Sequence, residues 1–370
     1  MRYYLVAGEA SGDLHGSALI GAIREQDPDA EFRFRGGALM QDAAGVPPAA
    51  DYSSGAVMGP SDVLANARTL LRGLRACKRD ILAWAPDAVI LIDYPGFNLP
   101  LARFCHGKGF KVFYFIAPKT WASRESRNKA LRKYIDRLFI IFPFEVDYFA
   151  SRGVPAQYCG NPLIDLTDKH NFVRPCPERY IAVLPGSRKG EISRTMPVCM
   201  EVAETLGMQV LVAGAPSASI QDYEPYTAGH RNVKVIFGRT YDILKYADAA
   251  VINSGTASLE AAIIGTPQVV CWSTTPLTWW YAKKLLRVDR RIRFISLANL
   301  CLDTGIFKEL IQDSFNKASV LQELHLLLDD KAYRGRMLDD YARLRLSLGG
   351  GGAVTRIAQV ITEETKSNHI

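Results

Sequence analysis

Apolar positions along the chain fall into short runs that alternate with longer amphipathic stretches. Residues 3–7, 88–92, 112–116 and 138–142 are nearly continuous in apolar, β-branched or aromatic side chains, and 32–35 is a shorter, less regular run. Continuous apolar runs of this length mark parallel strands covered on both faces. Between them, 14–25 and 63–83 carry amphipathic patterns at helical spacing. That rhythm predicts βαβ units and a doubly wound parallel sheet. A second series follows at 181–184, 209–213, 233–237, 249–253 and 268–272, with helical patterns at 192–206 and 258–264. The polar stretch 165–178, with Pro175 and Pro177, reads as a linker. Beyond the second series, 320–346 reads as helical. The four consecutive glycines at 349–352 read as a break, and 354–363 as a last amphipathic segment. The expectation is an α/β protein of two Rossmann-like halves, residues 1–167 and 168–348, facing across a cleft, with 349–370 free to pack on the first half. Open sheets of this kind take ligands beyond the carboxyl ends of their strands, so the loops after strands are where chemistry is expected.

Composition narrows the class without choosing a function. The 370 residues are 48% hydrophobic and 22% charged, average values that exclude disordered, collagen-like and disulfide-framework proteins. The seven cysteines form no C-x-x-C pair, so reduced thiols and a cytoplasmic setting are expected. The best apolar run, 88–92, stops at Asp93, far short of the about 20 residues a spanning helix needs. The first residues lack the apolar core of a cleavable leader. The net charge of +7 asks for an anionic partner, whether nucleic acid, membrane surface or phosphorylated substrate.

Four loops carry residues suited to chemistry. The first, Gly8-Glu9-Ala10-Ser11-Gly12-Asp13-Leu14-His15-Gly16, opens a helix whose N–H groups suit an anion, and Glu9, Asp13 and His15 could bind hydroxyls or move protons. The plain alternative is that Ser11 or Asp13 caps the helix. The second, Asp93-Tyr94-Pro95-Gly96-Phe97-Asn98, sets a carboxylate after a buried strand, where partial burial makes a general base; otherwise Asp93 only turns the chain. The third, Pro185-Gly186-Ser187-Arg188-Lys189-Gly190-Glu191, offers backbone N–H groups and an arginine fork to a phosphate, or is a loop of solvated cations. In the fourth, Asn253-Ser254-Gly255-Thr256-Ala257-Ser258-Leu259-Glu260, small residues open a helix toward a diphosphate and Glu260 can accept both hydroxyls of a ribose. Its alternative is a first-turn acid complementing the helix dipole.

The chain has no P-loop, no G-x-S-x-G elbow, no metal-ligand spacing among its six histidines, and no D-x-D pair after a strand. Chemistry without a metal or a cofactor is expected. The stretch 278–293 mixes Trp279, Trp280 and Tyr281 with six cations, including Lys283 and Lys284, a composition suited to a headgroup interface. Val57, Met58, Leu64 and Leu71, interleaved with arginines, read as contacts to acyl chains or membrane, against the ordinary alternative of a core face beside a solvated face. Nucleic acid is disfavoured, because the cations track no continuous stripe.

Taken together, these motifs resemble those of the lipid-A-disaccharide synthases, a family of GT-B glycosyltransferases. The resemblance runs through Gly8–Asp13, Gly36-Gly37-x-x-Met40, Val57-Met58-Gly59, Ile92-Asp93-x-Pro95-x-Phe97-Asn98, Leu184-Pro185-Gly186-Ser187-Arg188-x-x-Glu191, Ser254-Gly255-Thr256-Ala257-x-Leu259-Glu260 and Ser296-Leu297-x-Asn299, in the family's order. It implies inverting transfer of 2,3-diacylglucosamine from its UDP conjugate to 2,3-diacylglucosamine 1-phosphate, giving a β-1,6 disaccharide phosphate and UDP. Asp93 is then the base, with Glu9 and Arg188 as further catalytic groups. Gly186, Ser187, Arg188, Ser254, Gly255, Thr256, Ala257, Glu260 and Asn299 face the UDP donor, and Ser11, Asp13 and Asn98 the acceptor. The resemblance further implies a peripheral enzyme on the cytoplasmic face of the inner membrane, against an anionic surface, and permits a homodimer through the segment after Gly352. Two departures stand out. Gly160-Asn161-Pro162 replaces the family's Gly-His-Pro, and 117–124 keeps only part of its Ser-Pro-x-x-Trp-Ala-Trp-Arg segment. Competing readings are another GT-B enzyme (a polyprenyl-linked sugar transferase or a UDP-sugar 2-epimerase) and a non-catalytic nucleotide-sugar-binding protein.

Overall fold

The computed structural model describes residues 1–51, 63–275, 279 and 293–367, with the side chains of 63–67 left out. Val57, Met58, Trp280, Lys283 and Lys284, and the side chain of Leu64, lie outside the described residues. The chain divides into two compact units, Met1–Asp165 with Leu348–Ile370, and Leu166–Ser347.

The first unit is built on a fully parallel sheet. Its strands are β1 (Arg2–Val6), β2 (Glu31–Gly36), β3 (Ala50–Asp51), β4 (Ala88–Ile92), β5 (Lys111–Phe115), β6 (Arg137–Ile140) and β7 (Ala156–Tyr158), in the order β3-β2-β1-β4-β5-β6-β7. The direction of winding reverses between β1 and β4, so the loops after these two strands flank an open crevice. Continuous apolar sequence makes β4 fully buried along its length. One face packs against α3 (Val63–Trp84) and α4 (Pro95–His106) through Tyr4, Val6, Val89, Leu91, Tyr114, Ile81 and Phe97. On α3 the positions Leu70, Leu74, Cys77, Ile81 and Trp84 recur at helical spacing and turn inward. The opposite side of that helix exposes Arg68, Leu71, Arg72, Arg75, Arg79 and Leu82.

The second unit repeats the plan with β8 (Tyr180–Leu184), β9 (Gln209–Gly214), β10 (Val233–Phe237), β11 (Ala249–Asn253), β12 (Gln268–Trp272) and β13 (Glu309–Ile311), ordered β10-β9-β8-β11-β12-β13. Here the switch lies between β8 and β11.

Three expectations change. The stretch 165–178 is not a free linker: Asp165 belongs to a helix, Pro162–Asp168, and Val173 is held by Asp242 and Arg239 while Phe172 packs on the second core. The helical run 320–346 is two helices, Lys317–Asp329 and Lys331–Ser347, because the Asp330 carboxylate accepts the N–H groups of Ala332 and Tyr333 and starts a new one. The short strands β3, β7 and β13 have no counterpart in the apolar pattern.

The last helix, Ala353–Lys366, belongs to the first unit. It packs along α1 (Ala10–Gln26), buries Ile357 and Ile361 completely, and its Glu364 holds Lys111 and Arg137 at the start of β5 and β6. Its first turn is fixed by Asp165, which accepts the N–H groups of Gly352 and Val354.

Candidate active site

At the first switch, the chain leaves β4 through two consecutive left-handed residues, Asp93 at φ 43° and Tyr94 at φ 46°. Such conformations are strained for residues with a Cβ and persist only when the surroundings impose them. Three contacts do so. The Asp93 carbonyl accepts the Tyr114 hydroxyl at 2.5 Å and the Asn98 amide at 2.8 Å, and the Asp93 N–H donates to Phe115 at 3.0 Å. The Tyr94 ring lies against Gly8, where a Cβ would sit only 2.2 Å from a ring carbon, so the first loop needs glycine at that point.

The backbone is therefore held, and the half-buried Asp93 carboxyl is left to the crevice. Burial raises its pKa above the usual carboxylate range, the charge of Glu9 raises it further, and Lys119 and Arg127 oppose both. Glu9 and Ser11 are exposed at the start of α1. The loops after β5 and β6 add a second acid that sequence reasoning did not single out. Glu145 is 1% exposed, accepts from Trp121 Nε1 at 3.1 Å and from the Ile141 and Phe142 amides, and burial outweighs these bonds to push it up to about 7.

Several residues expected at the site also brace the chain. Asp13 is buried and its carboxylate accepts the N–H groups of Gly37, Leu39 and Met40 at 2.7–3.2 Å, capping the helix Ala38–Ala44. Asn98 is fully buried under the loop it braces. His15 is buried against Phe115 and burial lowers its pKa to about 4, so it is neutral. Asn161, at the family's His position, is fully buried; it donates to the Ile141 carbonyl and accepts from the Leu163 amide.

At the second switch, two helix N-termini differ. After β8, Gly186 adopts φ +107°, and a Cβ there would lie 2.5 Å from Glu191 Oε2. Glu191 fills this loop. Its carboxylate accepts the N–H groups of Ser187 at 2.9 Å and Arg188 at 3.2 Å, and holds Arg188 Nη1 at 2.9 Å. The amides expected to await a phosphate are thus already bonded to a carboxylate, although the Arg188 side chain is 81% exposed. After β11, the helix Thr256–Ile264 starts freely: among the described residues, nothing meets the N–H groups of Gly255, Thr256 and Ala257, and Gly255 and Thr256 are exposed. Ser254 is tied back, its N–H donating to Cys271 and its hydroxyl to Ile295. One turn along, Glu260 accepts the Tyr241 hydroxyl at 3.0 Å. Burial raises its pKa and the tyrosine bond partly offsets the rise.

Asn299 is fully buried, donating to Phe307 and Glu309 and accepting from Ile306, so it ties its helix to the segment 306–309. Trp279 packs edge-to-face on Trp272 at 6.0 Å, and Leu71 is 51% exposed.

Two parallel α/β units, each with a switch point in its sheet, make up the GT-B architecture. Solved structures share the fold. A UDP-GlcNAc 2-epimerase from Neisseria meningitidis matches with TM-score 0.69 at 12% identity, over 98% of this chain and all of that one. The calicheamicin glycosyltransferase matches with TM-score 0.59 at 16% identity, over 98% of each chain. Sequence decides within the class. The lipid-A-disaccharide synthetase family model matches residues 3–350. The lipid-A-disaccharide synthase of Geobacter metallireducens is 36% identical over 98% of this chain and 97% of its own length. The chain belongs to the lipid-A-disaccharide synthase family and is a glycosyltransferase of lipid A biosynthesis.

Proposed function

We propose that this chain moves 2,3-diacylglucosamine from its UDP conjugate to the 6-hydroxyl of 2,3-diacylglucosamine 1-phosphate with inversion. The Asp93 carboxylate takes the hydroxyl proton as the oxygen attacks the anomeric carbon, and the bond from that carbon to UDP breaks in line. What carries this reading is the Asp93 loop: a strained, braced backbone holds one half-buried, proton-hungry carboxyl at the switch point. Glu9, close enough to act on Asp93, keeps it basic.

On the donor side, the open amides of Gly255–Ala257 suit the diphosphate, and the helix dipole favours its charge as UDP departs. Arg188, exposed and tied to Glu191, can transfer its fork to the phosphates. Glu260 has one oxygen on Tyr241 and one left for a ribose hydroxyl. No cofactor enters the reaction. The first unit is the acceptor side and the second the donor side. Binding is peripheral, at an anionic membrane on the cytoplasmic face, with the cationic side of α3 and its exposed Leu71 and Leu82 against the headgroups.

The test is UDP release from the UDP conjugate with and without the acylated acceptor. Acceptor-dependent release is expected, and release or epimerisation without acceptor would overturn the reading. Replacing Leu71 and Leu82 by Ser is expected to reduce sedimentation with anionic liposomes, and unaltered sedimentation would remove α3 from the membrane contact.

A further inference from the structure

Two arginines on β2 point to the same side of the sheet, one pleat apart, and their surroundings differ. Arg33 grips Asp80 with Nε and Nη2 at 2.6–3.0 Å. Arg35, nearer the carboxyl end of the strand, pairs with no carboxylate among the described residues, and its Nε is buried without any hydrogen-bond partner. Its guanidinium lies 5.2 Å from the centre of the Phe97 ring and beneath Gly73 of α3. Phe97 in turn stacks on Tyr94 at 5.6 Å, and the Arg35 charge acts on the Tyr94 phenol. An arginine held against a ring, half-buried and with no counter-charge among the described residues, carries an electrostatic cost that an anionic ligand would remove.

We propose that Arg35 is the subsite for the phosphate monoester of the acceptor sugar. This rests on the acceptor assignment above and adds a polarity to it. Arg35 is in register with Val6, and Val6 with Leu91, so Arg35 stands two strand spacings, about 10 Å, from the strand that leads into Asp93. The crevice is acidic at the Asp93 and Glu9 end and cationic at the α3 end. A sugar carrying a hydroxyl at one end and a phosphate next to its acyl-bearing carbon at the other fits in one direction. The hydroxyl meets the base, the phosphate meets the arginine fork, and the chains run toward α3. Lys119 and Arg127, which also act on Asp93, lie after β5 on the other side of the base and would set the opposite direction.

The experiment compares acceptor-dependent UDP release with 2,3-diacylglucosamine 1-phosphate and with the same sugar lacking the phosphate, in the unaltered chain and in R35Q, R35K and R127Q. Thermal unfolding of each variant is recorded alongside. The unaltered chain is expected to prefer the phosphorylated acceptor by about 10- to 100-fold in kcat/KM, the scale of a charge-assisted hydrogen-bonded pair. R35Q is expected to lose that preference through acceptor KM while the donor KM stays put, and R35K to keep part of it. If R35Q does not fold, R35K decides alone, and a preference equal to the unaltered chain's overturns the proposal. So does a preference retained in R35Q or abolished in R127Q instead. Absence of any acceptor-dependent release from the unaltered chain would instead strike the reaction itself.

Discussion

The two switch points share a topology and differ in what they hold out. At the β1/β4 crevice the chain spends strain and buried hydrogen bonds on setting a few ionisable side chains: Asp93 in a left-handed turn, Glu9 within its field, and Arg35 without an ion-pair partner among the described residues. At the β8/β11 crevice side chains recede. Gly186, Gly255, Thr256 and Ala257 leave backbone amides and helix ends, one filled by Glu191 and one open. Proton transfer needs a side chain with a tuned pKa, whereas a departing diphosphate needs only fixed N–H dipoles and a mobile cation. The same fold serves both by changing which atoms close the loop.

The sharpest way to break this contrast is D93N. Loss of the base is expected to lower kcat by about 10²- to 10⁴-fold with donor KM unchanged, in steady-state assays of UDP release. The same change is expected to raise the unfolding temperature near neutral pH. The folded-state pKa of Asp93 lies above its unfolded value, so its favourable contribution belongs to the protonated form and is lost as pH rises through the folded pKa. Asn keeps the neutral shape at every pH and tolerates the left-handed turn. A lower unfolding temperature, or full turnover, would end the comparison.

G186A probes the other crevice. The positive φ and a Cβ only 2.5 Å from Glu191 are expected to cost about 1–3 kcal/mol in urea unfolding, whereas a stable G186A would mean that the loop is adaptable. E9Q is expected to move the acid limb of the kcat profile to lower pH, since removing a like charge lowers the Asp93 pKa; an unmoved limb would separate Glu9 from the base. The smallest effect is expected for Y241F. Without its hydrogen bond Glu260 protonates more readily, so donor KM should rise about 3- to 10-fold toward low pH and recover as pH increases.

The central strands were legible because burial on both faces leaves an unbroken apolar run, as in β4. β3, β7 and β13 were not, since two or three residues at a sheet edge carry no period to read. Among the candidate residues, position after a strand marked the loops that lie at the two switch points but could not say which way a polar side chain turns. Asp13 and Asn299 turn to backbone donors and carbonyls brought near only by the fold: Gly37, Leu39 and Met40 for one, Ile306 and Phe307 for the other. Glu191 was readable in principle, as an acid three residues after the position preceding a helix is a capping signal. Tyr241, Glu145 and Arg35 had no local signal, because what distinguishes them is a distant partner or the lack of one.

The final helix gives the chain an order of manufacture. The flank of α1 stays uncovered until Ile357 and Ile361 have been synthesised, and Glu364, which ties Lys111 to Arg137, comes later still. The unit Leu166–Ser347 is complete in sequence before then. On a ribosome the segment made first therefore waits with an uncovered apolar flank while the segment made second finishes folding. Nascent chains halted before residue 353 should keep that flank open to chaperones.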